Sequence, residues 1–485
     1  MDNMKEKTIG GLFWHFSERF LAQMISLVVS IVLARRLSPT EYGIIAFVTI
    51  FINIANVLAV NGLGASLVQK KNSDELDFSS MFYAGLVISL LVYAALFFSA
   101  PAISATYKRY DGLTAVLRIM GLRIPLAAFN SIQQAYVQKK MVFKKFFFST
   151  LFGTVVSAVV GIVMAYRGFG VWALVGQYLT NCTIDTVVLF FTIDWKPKRI
   201  FSFVRFKALF SFGWRVTCTG LIGNVFEQLK GLLIGAKYEA SDLAYYNKGD
   251  EIPALVTNNI NSAVNSVLFP VLTKYQDDWV SVKSALQRMM KLTSFVLMPV
   301  LLGIAAVSDT LVSALLTEKW LPCVPFLRVL CVQYCFNVLS TVNLQALKAI
   351  GRSDITLKLE FIKKPILLAF ILLAINISPF AIAVGALIYN VLAMVINAVP
   401  NGRVIRYGVW EQIRDTGGAF LLAATMAVVV WLVGRCRIDL YWLLALQILV
   451  GAVYYVGVAL LFRSESLRYL FQTAKELLHG RRGAK

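Results

Sequence analysis

The chain has 485 residues, of which 58% are hydrophobic and only 15% are charged, and its mean hydropathy is +0.70. A soluble domain carries about 25% charged residues, so this composition excludes an ordinary soluble enzyme. The formal net charge of +21 raises the question of a nucleic-acid partner. However, the basic residues lie between apolar segments rather than on one soluble face, so we expect no nucleic acid to bind.

Long apolar segments divide the chain into fourteen predicted membrane spans. Several of them lack any charged residue over about the 20 residues that a helix needs to cross the bilayer. They do not alternate polar and apolar residues as barrel strands do, so the sequence predicts an all-α polytopic membrane protein. The spans are 9–34, 42–66, 79–105, 112–137, 146–166, 170–193, 208–235, 243–272, 290–308, 321–347, 357–376, 380–400, 414–434 and 438–462.

The distribution of basic residues predicts the orientation of these spans. If the N-terminus is inside, 29 of the 47 Lys and Arg residues lie in or at the edge of cytoplasmic segments, 10 lie in or near outside segments and eight lie deeper within spans. Lys and Arg accumulate in cytoplasmic loops of membrane proteins. We therefore expect both termini to be cytoplasmic.

Two helix–loop–helix corners resemble each other at an offset of 201 residues, Leu33–Ile44 and Ile234–Tyr245. In each, a basic residue closes one helix and Thr40 or Ser241, followed by an acidic residue, is placed to cap the next. Coincidence is the alternative, but we interpret the match as a duplication. It predicts an N-terminal six-helix lobe at 1–200, a C-terminal six-helix lobe at 201–405, two additional transmembrane helices at 406–462 and a basic amphipathic cytoplasmic tail at 463–485.

Ionisable side chains at membrane depth are functional candidates, because each costs several kcal/mol unless it is paired or hydrated. Such side chains occur in spans 1, 4, 6 and 7, and Arg and Lys outnumber Asp and Glu among them. We expect a water-filled cationic cavity that holds an anionic group. The substrate-binding candidates are Arg19, Arg123, Arg215 and Lys230, and the candidates for ion coupling are Glu18, Glu227 and Asp185.

Other basic residues in the spans have a simpler explanation. For Arg118, Arg328, Lys363 and Lys364, snorkelling to the interface or a pair such as Glu360–Lys364 is sufficient.

The sequence contains no arrangement that indicates an enzyme or a cofactor. No extramembrane loop is long enough for a nucleotide-sugar domain, and no glycine loop or carboxylate dyad has a catalytic spacing. The six cysteines form no CxxC pair, and only two histidines are available, so we expect no metal site.

Three segments resemble a known family: Leu33-Ala-Arg-Arg-Leu-Ser-Pro-Thr-Glu-Tyr-Gly43, Phe169–Val175 and Gln345–Arg352. The first is similar to the first-loop signature of bacterial polysaccharide exporters, and the others recur at matching places there. The chain resembles the Wzx-type, colanic-acid-exporter-like branch of the multidrug/oligosaccharidyl-lipid/polysaccharide flippase superfamily. The resemblance implies two six-helix lobes, two further helices and a central cavity that alternates between the membrane faces.

The resemblance also implies a cargo, an undecaprenyl-pyrophosphate-linked oligosaccharide for O-antigen, capsule or exopolysaccharide assembly. Related lipid II flippases hold the pyrophosphate with first-helix arginines, and Arg19 occupies a comparable place. The expected partners are this glycan, membrane lipids and other polysaccharide-assembly proteins, in the bacterial inner membrane.

Three other functions remain open at this stage. An organic-cation or drug antiporter of the same superfamily would need acidic residues to dominate the deep positions, where Arg and Lys are more numerous here. A polymerase or ligase of polysaccharide assembly would need a large outside loop. A non-transporting scaffold of an assembly complex is compatible with the sequence.

Overall fold

The chain consists of helices joined by short connections over the residues that the computed structural model describes, which are 21–275, 278–462 and 466–468. The helices are α1 (21–36), α2 (Pro39–Gln69), α3 (Glu75–Thr106), α4 (Leu113–Gly121), α5 (Arg123–Lys140), α6 (Phe143–Tyr166), α7 (Val171–Thr192), α8 (Phe203–Lys237), α9 (Ala240–Lys274), α10 (Trp279–Ala306), α11 (Ser308–Leu315), a 3₁₀ helix (Glu318–Cys323), α12 (Val324–Ala349), α13 (Ser353–Ala374), α14 (Pro379–Val404), α15 (Val409–Val433) and α16 (Leu440–Leu461).

The predicted all-α polytopic membrane fold is confirmed. Each of the fourteen predicted spans coincides with one of these helices, with α4 and α5 together forming the fourth span and only part of the first being described. Ten segments of the described chain are long and apolar enough to cross a membrane. The described part of α1 is too short for that group, and α8, α9 and α13 are outside it because of the charged or amide side chains that they contain.

Contacts between neighbouring helices agree with a continuous alternation of crossing direction. Asn337 of α12 faces Asn390 of α14, and Asn343 faces Asn401, so α12 and α14 run parallel. They form the tenth and twelfth spans, which should cross the membrane in the same direction. The ion pairs Lys283–Glu411 and Lys291–Asp415 likewise show that α10 and α15, the ninth and thirteenth spans, run parallel. Hydrogen bonds show that α6 and α7, which are consecutive spans, run antiparallel. The cytoplasmic position of both termini stays a prediction.

The helices form two compact units, Met1–Ala244 and Tyr245–Lys485. Helix α8 packs in the first unit, against α2 and α3, although it follows the predicted lobe boundary at 200/201. Compactness does not test a duplication, so the predicted lobes stay a prediction.

Glycines bring α2 and α8 close together along their length. We call this contact the glycine seam; its glycines are Gly62 on α2 and Gly213, Gly220, Gly231 and Gly235 on α8. A Cβ atom added at Gly62 would overlap the carbonyl oxygen of Gly213, whereas one added at Gly43 of α2 would overlap that of Ala240, at the start of α9. Small residues allow membrane helices to approach closely enough for extensive dispersion contacts. The glycine seam therefore holds the antiparallel pair α2–α8 together.

The two corners at an offset of 201 residues have the same capping geometry. In the first, the backbone N–H of Ser38 donates to the carboxylate of Glu41 at 2.6 Å. In the second, the backbone N–H of Glu239 donates to the carboxylate of Asp242 at 3.2 Å. An acidic third residue that reaches back to the capping N–H is half of a capping box, and Ser38 supplies the other half in the first corner.

The predicted cap residues were wrong by two positions. Thr40 and Ser241 lie inside helices that begin at Pro39 and Ala240. In the first corner, proline at the first helical position fixes a helical φ and starts the helix earlier.

Replacement of Gly62 by alanine is expected to destabilise the protein, because the new methyl group overlaps the backbone of α8. Overpacking of this kind costs about 1–3 kcal/mol. The measurement is the thermal unfolding midpoint of the purified protein in detergent. Gly223→Ala on α8 is the matched control, since no described atom lies within 4 Å of its added Cβ. Equal midpoints for the two variants would show that the glycine seam does not require glycine.

Candidate functional site

The fourth span is interrupted in its middle, between α4 and α5. Helix α4 ends at Gly121 and α5 begins at Arg123. Pro125 explains the interruption, because proline lacks an N–H and its ring clashes with the carbonyl four residues earlier, which is that of Gly121. The sequence analysis treated 112–137 as one span and missed this break.

Arg123 lies at this break, near the middle of the span. Its guanidinium carbon lies 5.0 Å from the ring centroid of Tyr178 on α7. Its Nε is buried and, among the residues that the structure describes, has no hydrogen-bond partner. Arg123 also forms no ion pair within that part of the chain. A guanidinium with an unused donor at membrane depth is costly, and an anion would remove that cost.

Asp185 connects three helices near Arg123. Its carboxylate accepts hydrogen bonds from the amide of Asn130 on α5 at 2.9 Å and from the hydroxyl of Ser149 on α6 at 2.5 Å. The thiol of Cys182, one turn earlier on α7, lies within electrostatic reach of both Arg123 and Asp185. No local sequence pattern indicated these partners, because they come from other helices.

The three candidates on α8 lie apart from this cluster. Arg215 and Glu227 are exposed, and Lys230 is half-buried. At about 100° per residue, Arg215 lies on the face of α8 opposite Gly213 and Gly220, so it points away from the glycine seam. The structure therefore groups Arg123 with Asp185 and places Arg215, Glu227 and Lys230 separately on one helix.

Two predicted site residues, Arg19 and Glu18, lie outside the described residues. The predicted amphipathic tail at 463–485 also lies outside them, except for 466–468.

The basic residues with a predicted structural role do have local partners. Lys364 lies 3.8 Å from the carboxylate of Glu360, which confirms the predicted pair, and Lys363 lies 2.5 Å from the same carboxylate. Arg328 forms an ion pair with Asp309. These local contacts explain the three basic residues, and no contact with a substrate is needed to explain them.

The sequence analysis missed a buried amide network in the second unit. Asn343 and Gln412 exchange two hydrogen bonds, both of 2.8 Å, and Asn401 donates to the same Asn343 oxygen at 2.7 Å. Asn397 donates to the hydroxyl of Ser340 at 2.6 Å. These side chains are almost fully buried and join α12, α14 and α15. The available signal was the spacing of amides on one face of α14.

It also missed the charged groups near the start of α9. Lys248 is buried and pairs with Glu251 at 2.7 Å, and Asp250 accepts a hydrogen bond from the hydroxyl of Tyr334 at 3.0 Å. The acidic partner three residues after Lys248 was the available signal, because i and i+3 share a helix face.

Comparison with known proteins supports a single family. Residues 32–325 match the family described as Polysaccharide biosynthesis protein. The chain belongs to this polysaccharide biosynthesis protein family. It is 24% identical over 443 residues to the teichuronic acid biosynthesis protein TuaB of Bacillus subtilis, covering 88% of this chain and 89% of TuaB. It is 23% identical over 400 residues to the lipopolysaccharide biosynthesis protein WzxC of Escherichia coli, covering 82% of this chain and 80% of WzxC.

A solved structure shares the fold of this polysaccharide biosynthesis protein. The lipid II flippase MurJ in an inward closed conformation superposes with a TM-score of 0.73, covering 94% of this chain and 99% of MurJ. The identity is 15%, so the likeness concerns the fold. The resemblance to polysaccharide exporters of the flippase superfamily is confirmed.

Two segments that carry the family resemblance lie against each other in the first unit. A Cβ added at Gly170 would lie 2.5 Å from the carboxylate of Glu41, and the φ of Gly170 is +56°. Arg36 places its guanidinium 4.1 Å from the ring centroid of Tyr166. A side chain at position 170 would be strained by both the backbone and the contact, which explains why glycine is needed there.

Replacement of Asp185 by asparagine is expected to preserve the stability of this polysaccharide biosynthesis protein, because the amide oxygen still accepts from Asn130 or Ser149. Replacement by leucine leaves the Asn130 amide without that acceptor and is expected to lower the free energy of unfolding by about 1–3 kcal/mol. Thermal unfolding in detergent distinguishes the two variants. A leucine variant as stable as the wild type would contradict a structural role for these hydrogen bonds.

Proposed function

We propose that this protein is a flippase that moves an undecaprenyl-pyrophosphate-linked oligosaccharide across the bacterial inner membrane by alternating access. The cargo would be a repeat unit of O-antigen, capsule or exopolysaccharide. Arg123 carries the proposal, because its guanidinium lies at mid-span with a buried, unused Nε donor and no ion pair among the described residues. The polysaccharide names of the relatives give the class of cargo.

A pyrophosphate supplies what Arg123 lacks. It carries about two negative charges, and a guanidinium can contact phosphate oxygens through two parallel N–H groups. At about 4 Å and an effective dielectric constant near 20, each charge pair contributes about 4 kcal/mol before desolvation. The nearby Tyr178 ring holds the guanidinium by a cation–π contact and leaves its donors available.

Further cations are proposed to contact the same head group during transport. Arg215 and Lys230 are the candidates on α8, and Arg19 is the candidate in the first span. The exposure of Arg215 on α8 supports contact with water or cargo rather than with α2.

Asp185 is the best supported of the three candidates for ion coupling. Its described partners are the neutral donors Asn130 and Ser149, so uptake of a proton or a cation would change the charge at the junction of three helices. Glu227 and Glu18 remain candidates on the basis of their positions in the sequence.

Replacement of Arg123 by alanine is expected to abolish polysaccharide export, because the pyrophosphate loses its mid-membrane cation. Replacement by lysine should retain part of the export if charge alone matters, and little if bidentate contact is required. The measurements are surface polysaccharide and lipid-linked glycan on the inner leaflet of cells that carry each variant in place of the chromosomal copy.

The matched control is Arg118→Ala in the same span. The Nε of Arg118 donates to the backbone oxygen of Phe97 at 3.2 Å, and its guanidinium stacks on that ring, so its role is local packing. Arg118→Ala is expected to export normally. Normal export by Arg123→Ala, at wild-type abundance in the membrane, would remove Arg123 from the site.

We also propose that both termini are cytoplasmic, together with the loops around Lys70, Lys140, Lys198, Lys274, Arg352 and Arg406. The excess of basic residues in these segments supports this orientation. Single cysteines introduced there should resist an impermeant thiol reagent in intact spheroplasts and react after lysis. Cysteines in the loops around Lys108 and Arg167 serve as controls and should react in both conditions. Labelling at Lys140 or Lys198 in intact spheroplasts would reverse the orientation.

A further inference from the structure

The middle of α9 carries uncharged polar side chains on one face. Residues 252–273 of this helix contain no charged residue. Asn258, Asn261, Ser262 and Asn265 are spaced by three and four residues, so they share a sector of about 100°. We call these four residues the α9 amide stripe. Asn258 is exposed and the other three are half-buried.

The described residues leave much of the hydrogen-bonding capacity of the α9 amide stripe unused. The hydroxyl of Ser262 donates to the backbone oxygen of Asn258 at 2.8 Å, which is a bond within the helix. The side-chain oxygens of Asn261 and Asn265 are buried and accept no hydrogen bond from any described residue. A buried amide without a partner costs about 1–3 kcal/mol in proteins, so such a face favours a polar occupant over lipid.

The amides of α12, α14 and α15 show the alternative use of the same residue types. There Asn343, Gln412 and Asn401 are fully buried and bond to one another between helices, although the side-chain oxygens of Asn397 and Asn401, like those of the stripe, accept no described hydrogen bond. Those amides hold helices together. No described hydrogen bond joins the side chains of the α9 amide stripe to another helix, so joining helices does not explain them.

The chemistry of the stripe selects its occupant. An asparagine amide offers two donors and one acceptor oxygen, which matches the hydroxyl groups of a sugar. The absence of charge across 252–273 disfavours a pyrophosphate and suits a neutral, hydroxyl-rich molecule. The charged candidates Arg123, Arg215 and Lys230 all lie on other helices, α5 and α8.

We propose that the α9 amide stripe binds the sugar hydroxyls of the lipid-linked oligosaccharide and contributes to the choice of glycan. This inference rests on the proposed flippase function and adds to it a second set of contacts. Asn261 and Asn265 would recognise the sugar part of the cargo, which is the part that differs among such lipids.

The test compares two probes on the full-length protein in nanodiscs. One is undecaprenyl pyrophosphate without sugar, and the other is the lipid-linked repeat unit extracted from a strain that lacks this gene. The wild type should bind the sugar-bearing lipid about tenfold more tightly. This ratio corresponds to about 1.4 kcal/mol, or roughly two neutral hydrogen bonds.

The decisive variant is N261A/N265A. It should bind undecaprenyl pyrophosphate as the wild type does and lose the preference for the sugar-bearing lipid. The matched control is N259A, an asparagine on the same helix but about 100° or more from the centre of the stripe, whose amide donates to the backbone oxygen of Leu255 at 2.9 Å. N259A should keep the preference.

The outcomes separate this inference from the proposed function. If N261A/N265A keeps the full preference, the stripe holds only water and the inference is overturned. If the wild type binds neither lipid, the proposed function itself fails. If the double variant does not elute as a monodisperse protein, N261S and N265S are measured in the same way, and each should lose about threefold of the preference. If N261S and N265S both keep the wild-type preference for the sugar-bearing lipid, the inference is also overturned.

Discussion

Every polar side chain at membrane depth needs a partner, and this constraint organises both units of the protein. Hydrocarbon offers no hydrogen bonds, so an amide or a charge must find another side chain, water or a ligand. The buried amides of α12, α14 and α15 bond to one another between helices, although the side-chain oxygens of Asn397 and Asn401 accept no described hydrogen bond. Asp185 satisfies it with Asn130 and Ser149. Arg123 and the α9 amide stripe form no described hydrogen bond to another helix, which makes them candidates for contact with the cargo.

Arg123 and the α9 amide stripe differ from the structural residues in this respect. Arg118, Arg328 and Lys363 are also basic residues in predicted spans, yet each has a local backbone or carboxylate partner. Arg123 has an aromatic ring and an unused donor instead. Residue type alone does not separate these groups, whereas the identity of the partner does.

The sequence was sufficient for the spans but not for their interior details. Long apolar runs with few charged residues located the fourteen spans, because the cost of a charge in lipid acts on each segment independently. Pro125 was a local sequence signal for the break in the fourth span, but the span was assigned from its apolar residues alone and the break was missed. The partners of Asp185 and the amide network depend on which helices become neighbours, which no local pattern specifies. The placement of α8 beside α2 has the same origin, since it follows from glycines on two helices far apart in the chain.

The glycine seam has an evolutionary consequence. In most cores, a larger residue at one position is compensated by a smaller residue opposite. At Gly62 the opposing group is the backbone of Gly213, which has no side chain to reduce. No second substitution at that contact can therefore restore the packing. A larger residue at Gly62 or Gly213 is expected to separate the two helices. The neighbouring lipid-facing positions on the same helices are free to vary in size, so tolerance and intolerance to mutation should alternate within a single turn.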